Sequence, residues 1–325
     1  MTQTLLYLSR QDVERVALPM AEIIDGLASA FLEKAHGRTE VPPKPGIHPR
    51  PDSFLHAMPA LVPAENAAGI KWVAGFPDNP AKGLPYISGL LILNDPATGL
   101  PISVMDCTWI TAKRTGAASA LGAMYLARKD SAVMGICGCG VQARSHLEAF
   151  RVVLPGLRQV LCYDVSAEAQ DRFVAEMTAS FPDLEVRKAA TAEAAVREAD
   201  VVVTAANILR EPRPTIQKGW LRPGSFASAV DFDCYWTREA LDEVDLAATD
   251  DQGQLAYYRS MGFFPHLREA HQELAELVSG QVKGRTAPQE RTMAIFLGLA
   301  IEDMVTGVRI LERARRLGIG TELPL

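Results

Sequence analysis

Apolar side chains recur at Val13, Val16, Leu18, Met20, Ile23, Ile24, Leu27 and Phe31, a mostly helical spacing that predicts one amphipathic helix over residues 11–34, with Gly37 as its stop. Residues 41–51 are proline-rich, which excludes regular helix and leaves Lys44, His48 and Arg50 on an extended segment. Short β-like runs follow at 53–59, 67–74 and 86–94, separated by Gly, Pro and Asn, and predict a mixed or antiparallel sheet. The alanine-rich stretch 108–127 reads as a helix.

From Ser131 the rhythm changes. SAVMGICG, CGVQARSHLEAFRVV and QVLCYDVS read as strand, helix and strand, a βαβ unit. The alternation continues through a helix at 167–180, a strand at 184–187, a helix at 191–198, and the strands VVVTA, SFASAV and VDLAATD. The fold class expected is therefore α/β, built on a doubly wound parallel sheet of Rossmann type. Residues 288–317 read as a last long helix that crosses back from this half, its apolar stripe long enough to serve both halves.

Within the βαβ unit, GICGCGVQA fits the pattern G-x-G-x-x-A. Gly138 serves the tight turn, Gly140 the backbone approach to a pyrophosphate, and Ala143 close helix packing. The helix that follows would offer the N–H groups of Val141 and Gln142 and a positive dipole end. Asp164 closes the next strand where a carboxylate accepts both ribose hydroxyls and repels a 2′-phosphate, so NAD(H) is expected over NADP(H). The same aspartate could also cap the helix that starts near Ser166.

Composition narrows the class of partner. The 325 residues carry a formal charge of −6, with 48% hydrophobic and 22% charged residues, so neither disorder nor attraction to nucleic acid or anionic membranes is indicated. No stretch reaches the roughly 18 apolar residues of a membrane span, and residues 1–10 lack the basic region of a signal peptide, so a cytoplasmic protein is expected. Five cysteines without a CxxC pair read as buried thiols, and no metal is expected.

The runs KWVAGFPDNPAKGLP, TAKRTGAASALGAMYLA, GCGVQARSHLEAF and WLRPG, in this order, resemble the ornithine cyclodeaminase and mu-crystallin family over most of the chain. Its members include ornithine cyclodeaminases, alanine dehydrogenases, ketimine reductases and opine-type dehydrogenases. The resemblance implies a homodimer and an NAD(P) domain inserted in a second, α+β substrate-binding and dimerisation domain. It also implies chemistry at the carbon between a carboxylate and a nitrogen. The expected division is 1–118 with 305–325 for substrate and dimerisation, and 119–304 for NAD. Lys71 and Arg114 match the family residues that hold the substrate α-carboxylate, and a guanidinium fork beside an ammonium suits that task. Lys44 falls near a third cation. Asp233 matches the acid beside the reacting nitrogen, although Asp231 is only two residues away. The expected cofactor set is completed by Arg114, Thr115, Ala205, Ala206, Val230, Asp231 and Gly298.

Two departures bear on the substrate. Where cyclising members carry a carboxylate for the distal ammonium of ornithine, this chain has His56, which supplies no negative charge. With Lys44, His48 and Arg50 it could receive a second carboxylate instead, or simply be a satisfied core histidine. A family threonine is Tyr86 here, followed by Ser88. The favoured expectation is NADH-dependent reduction of a small α-imino acid, with iminosuccinate to aspartate as the leading case. A cyclodeaminase, an alanine dehydrogenase or ketimine reductase, and a non-catalytic NAD(H)-binding protein are the rivals.

Overall fold

The computed structural model describes residues 3–209, 211–267 and 270–325; of the segment 1–10 read for a signal peptide, Met1 and Thr2 lie outside them. The chain opens with strand β1 (Thr4–Leu8) and helices α1 (Arg10–Val16) and α2 (Met20–Ala35). The single helix expected over 11–34 is thus two. Ala17 turns left-handed (φ 48°) and ends α1, and Pro19, with its fixed φ and missing N–H, begins α2. Next come β2 (Gly46–Ile47), β3 (Phe54–Val62), β4 (Ala67–Gly75), β5 (Ile87–Asn94), β6 (Pro101–Asp106) and α3 (Thr108–Leu126).

The central segment alternates as its pattern predicts: β7 (Val133–Cys137), α4 (Val141–Val153), β8 (Gln159–Tyr163), α5 (Ala167–Ser180), β9 (Glu185–Lys188), α6 (Ala192–Arg197) and β10 (Val201–Thr204). It continues with β11 (Phe226–Ala229), α7 (Arg238–Leu241), β12 (Leu246–Thr249), α8 (Gln252–Ser260), β13 (Gln272–Glu273), α9 (Leu274–Ser279) and β14 (Thr292–Ile295). The chain closes with α10 (Ala300–Leu317) and β15 (Thr321–Pro324). Two units result, one of Met1–Arg114 with Gly298–Leu325 and one of Thr115–Leu297.

The first unit holds a seven-stranded sheet in the order β15-β1-β6-β5-β4-β3-β2, antiparallel except for the parallel pair β1 and β6. Helix α10 packs on β3, β4 and β5. Strand alternation sends Met58, Val62, Lys71, Val73, Leu91 and Leu93 into the buried interior. Gly307 admits Leu91, whose Cδ2 would lie 2.4 Å from a Cβ there.

The second unit holds an eight-stranded sheet in the order β13-β12-β14-β11-β10-β7-β8-β9, and its described pairings are all parallel. Strands β10, β11 and β14 are buried at every position, as strands covered on both faces must be. After β7 the chain winds outward through β8 and β9, then returns to the other side of β7 with β10. The winding direction reverses between β7 and β10, and the crevice beyond the carboxyl ends of strands at such a point is where ligands bind in open α/β sheets.

One further expectation is corrected. Residues 288–317 are not a single helix crossing between halves: Thr292–Ile295 form β14, paired with β11 and β12, and the helix starts only at Ala300, in the first unit. Gly298 at φ 80° breaks the run between them. Among the described residues no helix is long and apolar enough to cross a membrane.

Candidate active site

The glycine motif closes the crevice end of β7. Gly138 has φ 98°, and a Cβ there would lie 2.6 Å from the Ala205 carbonyl oxygen, so the turn after β7 and the turn after β10 touch through backbone alone. Gly140 is the N-cap of α4, and a Cβ added to it would meet nothing within 4 Å. The space in front of the α4 N-terminus is open where a pyrophosphate needs backbone N–H groups and a positive dipole end. Arg144 holds the carbonyl oxygens of Cys139 (2.7 Å) and Gly140 (2.9 Å), which fixes the loop. The Gln142 side-chain oxygen is buried without a hydrogen-bond partner. These features fit a dinucleotide.

Asp164 follows β8. Its Oδ2 accepts from Cys139 N–H at 2.7 Å and its Oδ1 from Ser166 N–H at 2.9 Å, while helix α5 is capped by the Ser166 hydroxyl. A carboxylate retains further lone pairs for ribose hydroxyls in this position. Behind α4 a buried chain of polar groups runs from the Ser228 hydroxyl to Ser119 (2.9 Å), from Ser119 to His146 Nε2 (2.9 Å), and from His146 Nδ1 to the Gln142 carbonyl (2.7 Å). Burial holds His146 down to about 4, so it is neutral and accepts at Nε2 while donating at Nδ1. Gly116 brings α3 against α4, a Cβ there lying 2.6 Å from the Ser145 carbonyl. The serine of R-T-x-A-x-S-A therefore anchors the first turn of the candidate dinucleotide helix, a role that the motif did not reveal.

At the ends of β10 and β11, Val230 N–H donates to the Thr204 carbonyl (2.9 Å). Asp231 accepts from the Thr204 hydroxyl (2.7 Å) and from Ala206 N–H (3.2 Å). It is fully buried, and that burial pushes its carboxyl up to about 6. Phe232 is left-handed (φ 62°), held by packing against Tyr258, Phe263 and Phe264. Asp233 Oδ2 accepts from His266 N–H (2.8 Å) and Leu267 N–H (3.1 Å). The two aspartates are thus set in different surroundings by the kinked residue between them.

In the first unit, β4 carries Lys71 into the interior and α3 carries Arg114. Lys71 Nζ lies 2.7 Å from both carboxylate oxygens of Asp303, and Arg114 Nε donates to Asp303 Oδ1 at 3.1 Å. Arg114 Nη1 donates to Glu302 Oε2 at 2.8 Å, and Glu302 Oε1 accepts from Leu299 N–H. Both acids are fully buried in the first turn of α10. Gly298, expected at the cofactor, lies beneath Arg114: a Cβ there would sit 2.3 Å from Nη1. Its carbonyl accepts from Lys44 Nζ at 3.2 Å. Burial and then the Arg114 charge push the Lys71 ammonium downward, with Asp303 opposing them.

His56 shares the inward face of β3 with Met58, whose partner across the ladder is Lys71. It stacks on Phe54 (4.3 Å between centroids) and lies edge-on to His48 (6.2 Å). Burial first, then Lys44, His48 and Lys71, hold it down to about 3. The exposed Arg50 contributes its backbone to a turn with Ser53. Tyr86 is half-buried, and its carbonyl closes the loop from Phe76 (2.9 Å).

The model of one family, described as ornithine cyclodeaminase/mu-crystallin, matches residues 4–317. The chain belongs to this family. Among relatives, the nodulation efficiency protein NfeD of Rhizobium meliloti is 36% identical over 317 residues, covering 97% of each chain. A solved structure of Thermococcus litoralis Δ1-pyrroline-2-carboxylate reductase, in complex with NADH and L-proline, is 34% identical with a TM-score of 0.88, covering 98% of this chain and 100% of that one. An archaeal alanine dehydrogenase dimer with bound NAD is 32% identical with a TM-score of 0.88, covering 99% and 100%. Against this family background, Glu302 and Asp303 are the residues that sequence reasoning missed. Their signal was available: two adjacent acids in the apolar run LGLAIEDMV need buried partners.

Proposed function

We propose that this family member is an NAD(H)-dependent reductase of a small α-imino acid, with a dicarboxylic imine such as iminosuccinate, giving aspartate, as its substrate. The second unit is the NAD(H) domain and the first the substrate domain. When bound, NADH supplies the hydride that reduces the imine carbon. Lys71 and Arg114 grip the α-carboxylate, the guanidinium through its fork and the ammonium as a point charge. The Asp231–Asp233 turn manages the charge or proton on nitrogen, Asp233 as the group beside it, with Asp231 poised near the pH of proton transfer. Asp164 selects NAD(H) through the ribose hydroxyls.

The observation that carries the reading is the company of His56. It sits near Lys44 and Lys71, whose charges disfavour a further cation beside it. The ammonium of ornithine meets repulsion there, and a second carboxylate meets attraction. Reduction of the cyclic imine Δ1-pyrroline-2-carboxylate is the second reading, favoured by the likeness to the reductase complex with NADH and L-proline.

The outer face of the first unit's sheet supports a homodimer. Pro59, Ile70, Ile92 and Val104 form one row across four strands, and Trp72 and Leu90 pair in the next, each 44% exposed. Five free, buried cysteines fit a reducing, cytoplasmic setting.

The deciding assay follows NADH at 340 nm with ammonia and a panel of 2-oxoacids, beside a separate assay of ornithine. Steady NADH consumption with an oxoacid and ammonia is the expected result. Proline release from ornithine with no net change in NADH would replace the reading with a cyclodeaminase, and NADH binding without turnover of any imine would leave a binding protein.

A further inference from the structure

Lys71 and Arg114 come from different elements of the first unit, yet one carboxylate touches both. Asp303 presents one oxygen to Lys71 Nζ and Arg114 Nε together and its other oxygen to Lys71 Nζ alone, at 2.7–3.1 Å. Glu302, one residue earlier, takes the Nη1 end of the same guanidinium and is itself tied to Leu299 N–H. Both acids stand in the first turn of an 18-residue helix, where the positive dipole end favours carboxylates. All four side chains are buried. A lysine with no solvent access and an arginine beside it keeps its proton only if an anion compensates.

The other groups near Lys71 do not supply that anion. The Cys107 thiol at the start of α3 is pushed up to about 11 by burial and stays neutral, and His56 on β3 is neutral. Thr111 offers only a hydroxyl at 3.5 Å.

We infer that Asp303 is the positioning residue that keeps Lys71 an ammonium and fixes it against Arg114 as one preassembled carboxylate grip, while Glu302 sets the rotation of the Arg114 fork. This inference rests on the proposed reading of Lys71 and Arg114 as the substrate-carboxylate ligands. It explains why two adjacent acids are buried at the start of α10.

The test compares Asp303→Asn, Asp303→Glu and Glu302→Gln with the parent protein. Removing the Asp303 charge removes an influence that holds the Lys71 proton, so the charged form is lost at lower pH. In Asp303→Asn the alkaline limb of the kcat/KM profile for the imino acid moves down by about one pH unit or more. The value of kcat/KM at neutral pH falls by up to about 10²-fold, as misplaced binding groups produce. Binding of the product amino acid to the NAD-loaded protein, titrated by calorimetry against pH, shows the same displacement without turnover. Asp303→Glu restores part of the limb. Glu302→Gln raises KM and leaves the limb in place. NADH affinity stays at the parental value in each.

Superimposable pH profiles for Asp303→Asn and the parent, in activity and in product binding, would overturn the inference. So would loss of NADH binding in parallel with activity, which marks a purely structural role. If the parent protein itself turns over no imino acid and binds no amino acid, the failure lies with the functional reading.

Discussion

The two units carry their chemistry in opposite ways. In the second, the candidate site is backbone: an open space at Gly140, touching turns at Gly138 and Ala205, and N–H groups at a helix end. In the first it is side-chain charge, with Lys71, Arg114, Glu302 and Asp303 all buried. Backbone sites demand particular residues at fixed spacing, so they leave a contiguous signature. Charge sites assembled from distant segments require only complementary partners, 232 residues apart for Lys71 and Asp303, and leave only scattered signals, such as two adjacent acids in an apolar run.

The sharpest way to break the contrast is within the glycine motif itself. Gly138→Ala meets both a left-handed φ and the Ala205 carbonyl, so it should lower the thermal midpoint, by a strain of about 1–3 kcal/mol. Gly140→Ala has ordinary φ and open space, so the parental midpoint should persist in calorimetry. NADH affinity, read by fluorescence titration, should nonetheless fall about tenfold to a hundredfold, the loss of one or two charge-assisted hydrogen bonds. If Gly140→Ala bound NADH normally, the open space would not be the pyrophosphate site.

A smaller effect is expected at Asp164. Asp164→Asn keeps one acceptor oxygen, for either Cys139 N–H or Ser166 N–H, and removes the charge that rejects a 2′-phosphate. The ratio of NADH to NADPH affinity should drop by about tenfold; an unchanged ratio would assign Asp164 to loop geometry alone.

These differences set what could be read from sequence. The parallel sheet and the glycine turn were legible because strand-turn-helix alternation and G-x-G-x-x-A report local backbone geometry. The break at Ala17–Pro19 was hidden by apolar spacing that carries on through it, since α1 and α2 bury the same kind of stripe. Residues 288–317 misled because the buried strand TMAI is as apolar as a helix stripe, and only Gly298 marks the boundary. Lys71 and Arg114 were recognisable by resemblance, but the carboxylates that hold them were not. The different surroundings of Asp231 and Asp233 depend on a left-handed phenylalanine, a conformation that no sequence pattern announces.

A further effect, on stability, involves one histidine in each unit. His56 in the first unit and His146 in the second are held neutral, at about 3 and about 4, by burial. The unfolded chain takes up these protons near pH 6.5 and the folded chain does not, so stability is retained above that pH and declines as pH falls toward those values. Each histidine contributes a slope of up to about 1.4 kcal/mol per pH unit in this window. Denaturant melts from pH 7 to 4.5 should show the decline, and His56→Gln should flatten part of it; an unchanged slope in that variant would mean that His56 is not held neutral.

The most direct measurement is the ratio of kcat/KM for oxaloacetate to that for pyruvate, each with saturating ammonia and NADH. A charge-lined grip with His56 near Lys44 and Lys71 predicts a ratio well above one across neutral pH. A ratio at or below one would contradict a dicarboxylic substrate and pass the site to a monocarboxylic or cyclic imine.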